Sequence, residues 1–395
     1  MVKKVSISSG IPFRRILRIL VLAILIGIGV LLYMLSHPAE NTVDSLPSSG
    51  YVEYEKAVVT QILSDSCTPD PVSEDHDRGV QKTTVEVLTG QYKGKVLLAD
   101  CTVGPIYGSA VSVGDRVSLA ISTYSGGEIR AAVYEYDRST AIFGIVALFL
   151  ILTVLIGGKV GAKSLLGLAL TVVALIWILI PLLLQGWPTV PTTLLVCSLL
   201  TCTCFVILGG MDRKTLCAIL GTLAGIVLAT LFGMAAQHFL RIDGYRQEYA
   251  EALLQLRQTG ESAIGISGLV IAGVVISALG AVMDVAMSIA SAMQELSAVG
   301  SSLTAGQLFR SGMNIGRDMV GTMTNTLILA IIGSGLTMIV YIYSLNLPVH
   351  EFMTSAFLSL EVISGVASSV GVILAVPLTA AISALAFGYK PHSGK

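Results

Sequence analysis

The chain has 395 residues, of which 54% are hydrophobic and only 12% are charged. Soluble globular domains carry about 25% charged residues, so this composition excludes an ordinary soluble protein. Residues 36–138 hold eight of the 24 Lys and Arg residues but fifteen of the 25 Asp and Glu residues, so this acidic segment is expected to face water.

Apolar runs elsewhere in the chain are long enough to cross a hydrocarbon core, which takes about 20 helical residues. The eight predicted crossings are residues 16–35, 141–156, 165–184, 192–210, 216–238, 264–283, 319–343 and 370–387. Gly365, Ser368, Ser369 and Gly371 interrupt the last apolar run, which begins at residue 355. They predict a short helix that leads into the final crossing.

The first apolar run, residues 16–35, is interpreted as an anchor helix. A cleaved signal peptide is the alternative, because the run has a basic start and an apolar centre. Its length is that of a full span, however, and the residues after it, His37-Pro38-Ala39, lack the small-x-small cleavage pattern.

The distribution of Lys and Arg predicts the orientation, because positively charged loops are retained in the cytoplasm. With the amino terminus inside, the cytoplasmic segments hold thirteen of these residues and the short outer loops hold three, Arg241, Arg246 and Arg257. Both termini are therefore expected in the cytoplasm. The predicted order is a basic tail (1–15), the anchor (16–35), an extracytoplasmic domain (36–138), a multi-helix membrane domain (139–389) and a cytoplasmic tail (390–395).

The extracytoplasmic segment has short alternating runs rich in Val, Thr, Tyr and Ile, separated by Gly and Asp turns, which is typical of β-strands. Five strands are predicted, at residues 55–63, 81–89, 95–101, 115–122 and 129–136. Their number and spacing favour a small all-β barrel of the OB type. Such barrels bind oligonucleotides or oligosaccharides, but the acidic charge argues against nucleic acid. A docking or spacer module is the plainer interpretation.

Cys67 and Cys101 are the two cysteines of this domain, and both are expected on the oxidising side of the membrane. A disulfide between them is therefore predicted, although sequence alone does not show that their Cα atoms come within about 7 Å. The acidic loop around Asp70 lacks the regular spacing of a calcium loop, so no metal site is expected.

Two polar stripes are the most informative feature of the membrane domain. Helical spacing places one set of small and polar residues within a narrow arc: Gly273, Ser277, Gly280, Asp284, Ser288, Ser291 and Glu295. A second stripe comprises Arg310, Asn314, Arg317, Gly321 and Thr324, with Asp318 and Asn325 on its flank. We expect the stripes to face each other, with Asp284 opposite Arg317 or Asn314.

Ionisable residues inside a helix bundle commonly mark ion or solute routes, so the stripes are candidates for a polar pathway. The structural alternative is a packing seam, with Glu295 reaching the cytoplasm and Asp284 near the membrane interface. No motif for a catalytic nucleophile, a metal or a cofactor is found, so the chain is not expected to be an enzyme. The expected partners are the lipid bilayer, a small solute or ion, and an envelope protein.

The two stripes carry a family resemblance in the segments GAVMDVAMSIASAMQE (280–295) and NIGRDMVGTMTN (314–325). These segments resemble the hallmark segments of the YibE/F family of bacterial membrane proteins. The resemblance implies a membrane domain at about residues 143–387 and a bacterial inner-membrane location, and it carries no known reaction. The favoured function is a permease for a small solute or ion, and the alternative is a non-transporting membrane scaffold.

Overall fold

The computed structural model describes residues 13–36, 51–73, 76–124, 129–247, 249–260, 262–299, 303–346 and 348–388. These residues form two compact units. One unit contains the β-strands and the start of the helix that follows them, residues 139–156. The other contains the first helix and the chain from Gly157 onward.

The β unit contains six strands, which include the five predicted from sequence. They are β1 (Tyr51–Asp65), β2 (Thr68–Pro69), β3 (Asp77–Val87), β4 (Val96–Val103), β5 (Arg116–Thr123) and β6 (Ile129–Tyr136). Strand β1 pairs with both β3 and β5, so the sheet closes on itself through β5, β6, β4 and β3. Only β4 and β6 pair in parallel among the described strands. The result is a small five-stranded barrel with β2 as a short addition.

The interior of the barrel is filled by the inward-facing residues of alternating strands, because successive side chains of a strand point to opposite faces. In β5, Val117, Leu119 and Ile121 are fully buried, while the residues between them are partly exposed.

At the end of β6, the Asp137 carboxylate lies 2.9 Å from Lys56 Nζ. Hydrogen bonds from Ser139 and then Lys56 lower the pKa of Asp137 to about 2.

The remaining described elements are helical. They are α1 (Phe13–Ser36), α2 (Ser139–Ala174), α3 (Ile180–Leu184), α4 (Thr189–Gly209), α5 (Arg213–Leu240), α6 (Ala250–Gln258), α7 (Leu269–Val299), α8 (Ala305–Ser334), α9 (Leu336–Ser344), α10 (Val349–Thr354) and α11 (Ala356–Gly388). A π-helical stretch at Leu175–Leu179 joins α2 to α3, and a 3-10 turn at Ile266–Gly268 precedes α7.

Within the described residues, five helices are long and apolar enough to cross a membrane, and a sixth crossing results if α8 and α9 count as one. This count does not confirm the eight predicted crossings as separate spans. The predicted crossings 141–156 and 165–184 both lie in the helical stretch Ser139–Leu184, in which two helices meet at a kink at Gly158, whose backbone is non-helical with φ 54°. The described apolar part of the anchor is shorter, at Val21–Leu35.

The predicted break before the last crossing is wrong, because α11 is one helix of 33 residues. Its small residues permit close helix packing and do not interrupt the backbone. Gly371 packs so closely on α5 that an added methyl group would lie 2.7 Å from Ala229 Cβ. Ser368 is buried, and its hydroxyl lies 2.6 Å from that of Ser277 on α7.

Helix α11 is the centre of the membrane unit, with α5, α7 and α8 packed around it. The core between them is made of small and β-branched side chains, including Ala229, Val282 and Ala375, all fully buried. Because lipid tails are as apolar as these side chains, close van der Waals packing holds such helices together. This packing fixes which face of each helix is left for other contacts.

Candidate functional site

The α8–α9 segment is a broken membrane helix. The two helices meet at Gly335 and are bent by 62° relative to each other. The break occurs where a glycine sits between Ser334 and Leu336, although the Gly335 amide still donates to the Ile331 carbonyl at 3.0 Å. Helix breaks at membrane depth are found where the backbone lines a cavity or is buried in protein.

Two adjoining cavities lie beside this break. The first has a volume of about 180 Å³ and is apolar, with Ile328, Ile331 and Ile339 in one wall and Leu358 and Val362 of α11 in the other. The second is larger, about 860 Å³, and polar. It is lined by Arg246, Gln247, Ser334, Gly335, Thr337, Met338, Tyr341 and Glu361. Gly335, Met338 and Glu361 line both cavities, so a polar vestibule adjoins an apolar pocket at the helix break.

Glu361 is the carboxylate at the junction of the two cavities. It is the sixth residue of α11 and is half-buried. Among the residues that the structure describes, no hydrogen bond or ion pair joins it to another group. A half-buried carboxylate without a protein partner is costly in an apolar setting, unless a proton, a cation or water compensates it. The site is therefore suited to a positively charged group.

The first polar stripe lies on the surface of the described chain. Gly273, Gly280, Asp284, Ser288 and Glu295 are exposed and Ser291 is half-buried, while the hydroxyl of Ser277 contacts that of the buried Ser368 on α11. The opposite side of α7 is packed into the core through residues such as Val282 and Ile289. The prediction that these residues share one helical face is thus confirmed for α7, but this face is directed outward.

The second polar stripe also lies on an outward face. Arg310, Asn314, Arg317, Asp318, Gly321 and Asn325 are exposed, and Thr324 is half-buried. Gly312 and Gly316 on the other side of α8 pack on Met293, Ala380 and Val376. Within the described part of the chain, Asp284 forms no ion pair with Arg317 and no hydrogen bond with Asn314. Their role in a pathway stays a prediction.

Cys67 and Cys101 are close to the same barrel core, and both are free thiols in the structure. Burial and a hydrogen bond to Asp65 raise the pKa of the Cys67 thiol to about 11, and burial raises the pKa of Cys101 to about 11. Because the thiolate is the reactive form, both thiols are poor nucleophiles near neutral pH. Their disulfide stays a prediction.

The acidic loop is arranged around the Asp70 carboxylate, which is buried. It accepts hydrogen bonds from the Val72 and Ser73 amides and lies 3.2 Å from Arg78 Nε. These interactions hold the pKa of Asp70 below its ordinary value, and the hydrogen bond from the Val72 amide has the largest effect. No cluster of three or more His, Cys, Asp or Glu side chains suited to a metal ion occurs among the described residues.

Sequence reasoning missed Glu361, and a signal for it was present. It is the one charged residue between Ser355 and Phe387, in an otherwise apolar run. An isolated carboxylate in such a run marks a functional position by default. The nearby helix break at Gly335 could not be predicted from the sequence, since single glycines are common in membrane helices.

Comparison with known proteins supports the membrane-domain assignment. The model of the YibE/F-like protein family matches residues 145–389, which is more than half of the chain. No curated protein and no solved structure matches the chain. The matched region contains both polar stripes, the broken helix and Glu361, and the chain belongs to the YibE/F-like protein family.

Proposed function

We propose that the chain is a non-enzymatic permease of the bacterial inner membrane, and that it moves a small solute or ion past the α8–α9 break. The observation that carries the proposal is Glu361 beside a broken helix, at the junction of a polar vestibule and an apolar pocket. Secondary transporters place their substrate and ion sites at discontinuous helices of this kind.

The chemistry of the site favours a cation. Glu361 supplies the negative charge at the junction of the two cavities, whereas Arg246 lines only the vestibule; the two helix ends at the break, the carboxyl end of α8 and the amino end of α9, contribute partial charges of opposite sign. The apolar pocket next to them has room for a few non-hydrogen atoms. A proton, a metal cation or an alkylammonium ion fits these features, and the last combines positive charge with an apolar body.

The orientation that we propose places both termini in the cytoplasm and the barrel outside. The thirteen-to-three asymmetry of Lys and Arg supports it. In this orientation α11 runs from the outer to the inner side, so Glu361 near its start lies toward the outer face. The vestibule that Arg246 and Glu361 line then lies toward the extracytoplasmic face of the membrane.

The test compares the wild-type chain, Glu361→Gln and the matched control Glu351→Gln, which changes an exposed glutamate on the neighbouring α10. The purified full-length proteins are heated in detergent with Na⁺, K⁺ or hexylammonium. A cation that binds the folded state raises the unfolding temperature, and the rise grows with the logarithm of the ratio of its concentration to its Kd. We expect one cation to stabilise the wild type and the control, but not Glu361→Gln. The same cation, or protons, should enter vesicles that contain the wild type.

The alternative function is a scaffold whose barrel docks an envelope protein. Tyr54 and Tyr134 favour it, because their rings form an edge-to-face pair at 5.2 Å and are 61% and 59% exposed. Exposed aromatic residues are enriched at protein interfaces. If every cation changes the unfolding temperature of Glu361→Gln and of the wild type equally, and no cation enters the vesicles, the permease is rejected and the scaffold is favoured.

A further inference from the structure

Charged residues on the outward faces of α7 and α8 lie at membrane depth. Asp284 is the midpoint of α7 and is exposed, and Arg317 is exposed near the middle of α8. A charged side chain at the centre of a membrane helix is costly unless another group pairs with it or covers it. Some other group must therefore cover these faces, and the described part of the chain does not supply one.

Contacts in the core locate the depth of these residues. A methyl group added at Gly225 of α5 would lie 2.9 Å from both Val282 Cγ1 and Ala375 Cβ, so these three residues share one level. Gly225 is twelve residues after Arg213, where α5 begins, a distance of about 18 Å along the helix. Asp284, two residues from Val282, therefore lies well inside a core of about 30 Å.

The same core contacts show that Asp284 and Arg317 lie at matching levels. Gly316 of α8 packs on Val376, next to Ala375 on α11. Arg317 and Asp284 are thus within about one helical turn of the same level. The two helices run in opposite directions from the α7–α8 connection, so residues farther along the stripes also match, Gly280 with Gly321 and Ser288 with Asn314.

We propose that these two faces form an interface with a second copy of the chain, in which α7 of one copy packs on α8 of the other. All copies have the same orientation in the bilayer, so the levels match between copies as they do within one. Asp284 of each copy then meets Arg317 of the other. Gly280 likewise meets Gly321, and Ser288 meets Asn314. A two-fold axis makes both pairs at once, as a self-complementary interface requires.

Charge complementarity is what selects a second copy as the partner. The exposed face of α7 carries only acidic charge, at Asp284 and Glu295, and that of α8 carries Arg310 and Arg317 with a single acid, Asp318. Small residues at Gly280 and Gly321 let the two backbones approach closely. The proposal does not depend on the permease function, because it concerns a different surface from the Glu361 cavities.

The first test is disulfide cross-linking between two differently tagged full-length copies, one with Gly280→Cys and the other with Gly321→Cys. We expect a covalent dimer that carries both tags after mild oxidation in membranes. The control pairs Gly321→Cys with Val227→Cys, since Val227 is 45% exposed on α5, two residues from Gly225 and so near the same depth. Each single variant alone controls for the native cysteines.

The second test exchanges the charges. Copies with Asp284→Arg carry two basic groups at the interface, and copies with Arg317→Asp carry two acidic groups. Each variant alone should lose about tenfold or more of its self-association, since close charge pairs at interfaces are strongly coupled. Co-expression of the two variants restores every pair with opposite charges, so tag-to-tag capture should recover. This recovery also shows that both variants fold.

Three results would overturn the proposal. The first is cross-linking by the Val227→Cys control as efficient as that of the Gly280→Cys pair. The second is self-association that the charge exchange leaves unchanged, and the third is wild-type protein that stays monomeric in lipid nanodiscs. The monomer result would direct the search to a different membrane protein as the partner of these faces.

Discussion

Gly225 on α5 offers the sharpest test of the helix packing. An alanine at this position would place its Cβ 2.9 Å from Ala375 Cβ and from Val282 Cγ1, and 3.2 Å from the Gly371 carbonyl oxygen. Carbon atoms in ordinary contact are about 3.5–4.0 Å apart, so α5 must move from α7 and α11 by about half an ångström or more. Overpacking of this kind costs about 1–3 kcal/mol.

Gly273→Ala is the matched control, because Gly273 is an exposed glycine of α7 with nothing within 4 Å of an added methyl group. Both substitutions gain about 1 kcal/mol of helix propensity. The difference between their free energies of unfolding therefore isolates the packing cost, and it should favour Gly273→Ala by about 1–3 kcal/mol. At about 2–4 °C per kcal/mol, the unfolding midpoints in detergent should differ by several degrees.

The result that would refute this reasoning is a Gly225→Ala variant that unfolds at the same temperature as Gly273→Ala. The helices would then have free space between them at this level. The level assignment of Asp284, which uses the same contact, would lose its basis.

The remaining predictions concern the barrel and the topology. Because its pKa is lowered in the folded state, Asp70 stabilises its loop above the ordinary carboxyl pKa of about 3.9, and this contribution is lost as the pH falls through the still lower folded value. The Val72 and Ser73 amide chemical shifts in the full-length protein should therefore move only below about pH 4, and Asp70→Asn should remove that transition. Mass spectrometry of unreduced protein from the membrane should find the Cys67 and Cys101 peptides joined, and free alkylation of both thiols would contradict the disulfide. A reporter fused after Lys395 should be active only in the cytoplasm, and one inserted after Val72 only outside, whereas the reversed pattern would overturn the orientation.

The barrel could be predicted because its signal is local. Alternation of buried and exposed residues has a period of two, and it located the five main strands to within a few residues of their observed bounds. The missed strand, β2, is a pair of residues, Thr68 and Pro69, too short to show any alternation. Closure of the sheet depends on β1, which is long enough at fifteen residues to pair with β3 and β5 together.

The helices of the membrane unit could be predicted by hydropathy, but their ends could not. Glycine and serine are ambiguous in a membrane helix, since they either break it or let a neighbour approach. In α11 they mark packing: Gly371 lies against Ala229, and Ser368 hydrogen-bonds near Ser277. At Gly335 a single glycine coincides with a 62° bend. Whether a glycine breaks a helix or lets a neighbour approach depends on the neighbouring helices, and the local sequence does not show where they pack.

The direction of the polar stripes is the deeper limit of the sequence reasoning. Periodicity shows that Asp284, Ser288 and Glu295 share a face of α7, but it does not show what that face meets. The structure directs it outward because the opposite face, with Val282 and Ile289, is the better match for α5 and α11. The basic or hydrogen-bonding partner expected for Asp284 stays a prediction, and its physical reason is that a carboxylate in a membrane requires a cation or a donor. The same requirement, applied to a face that the described residues leave uncovered, leads to the proposed contact with Arg317 of a second copy.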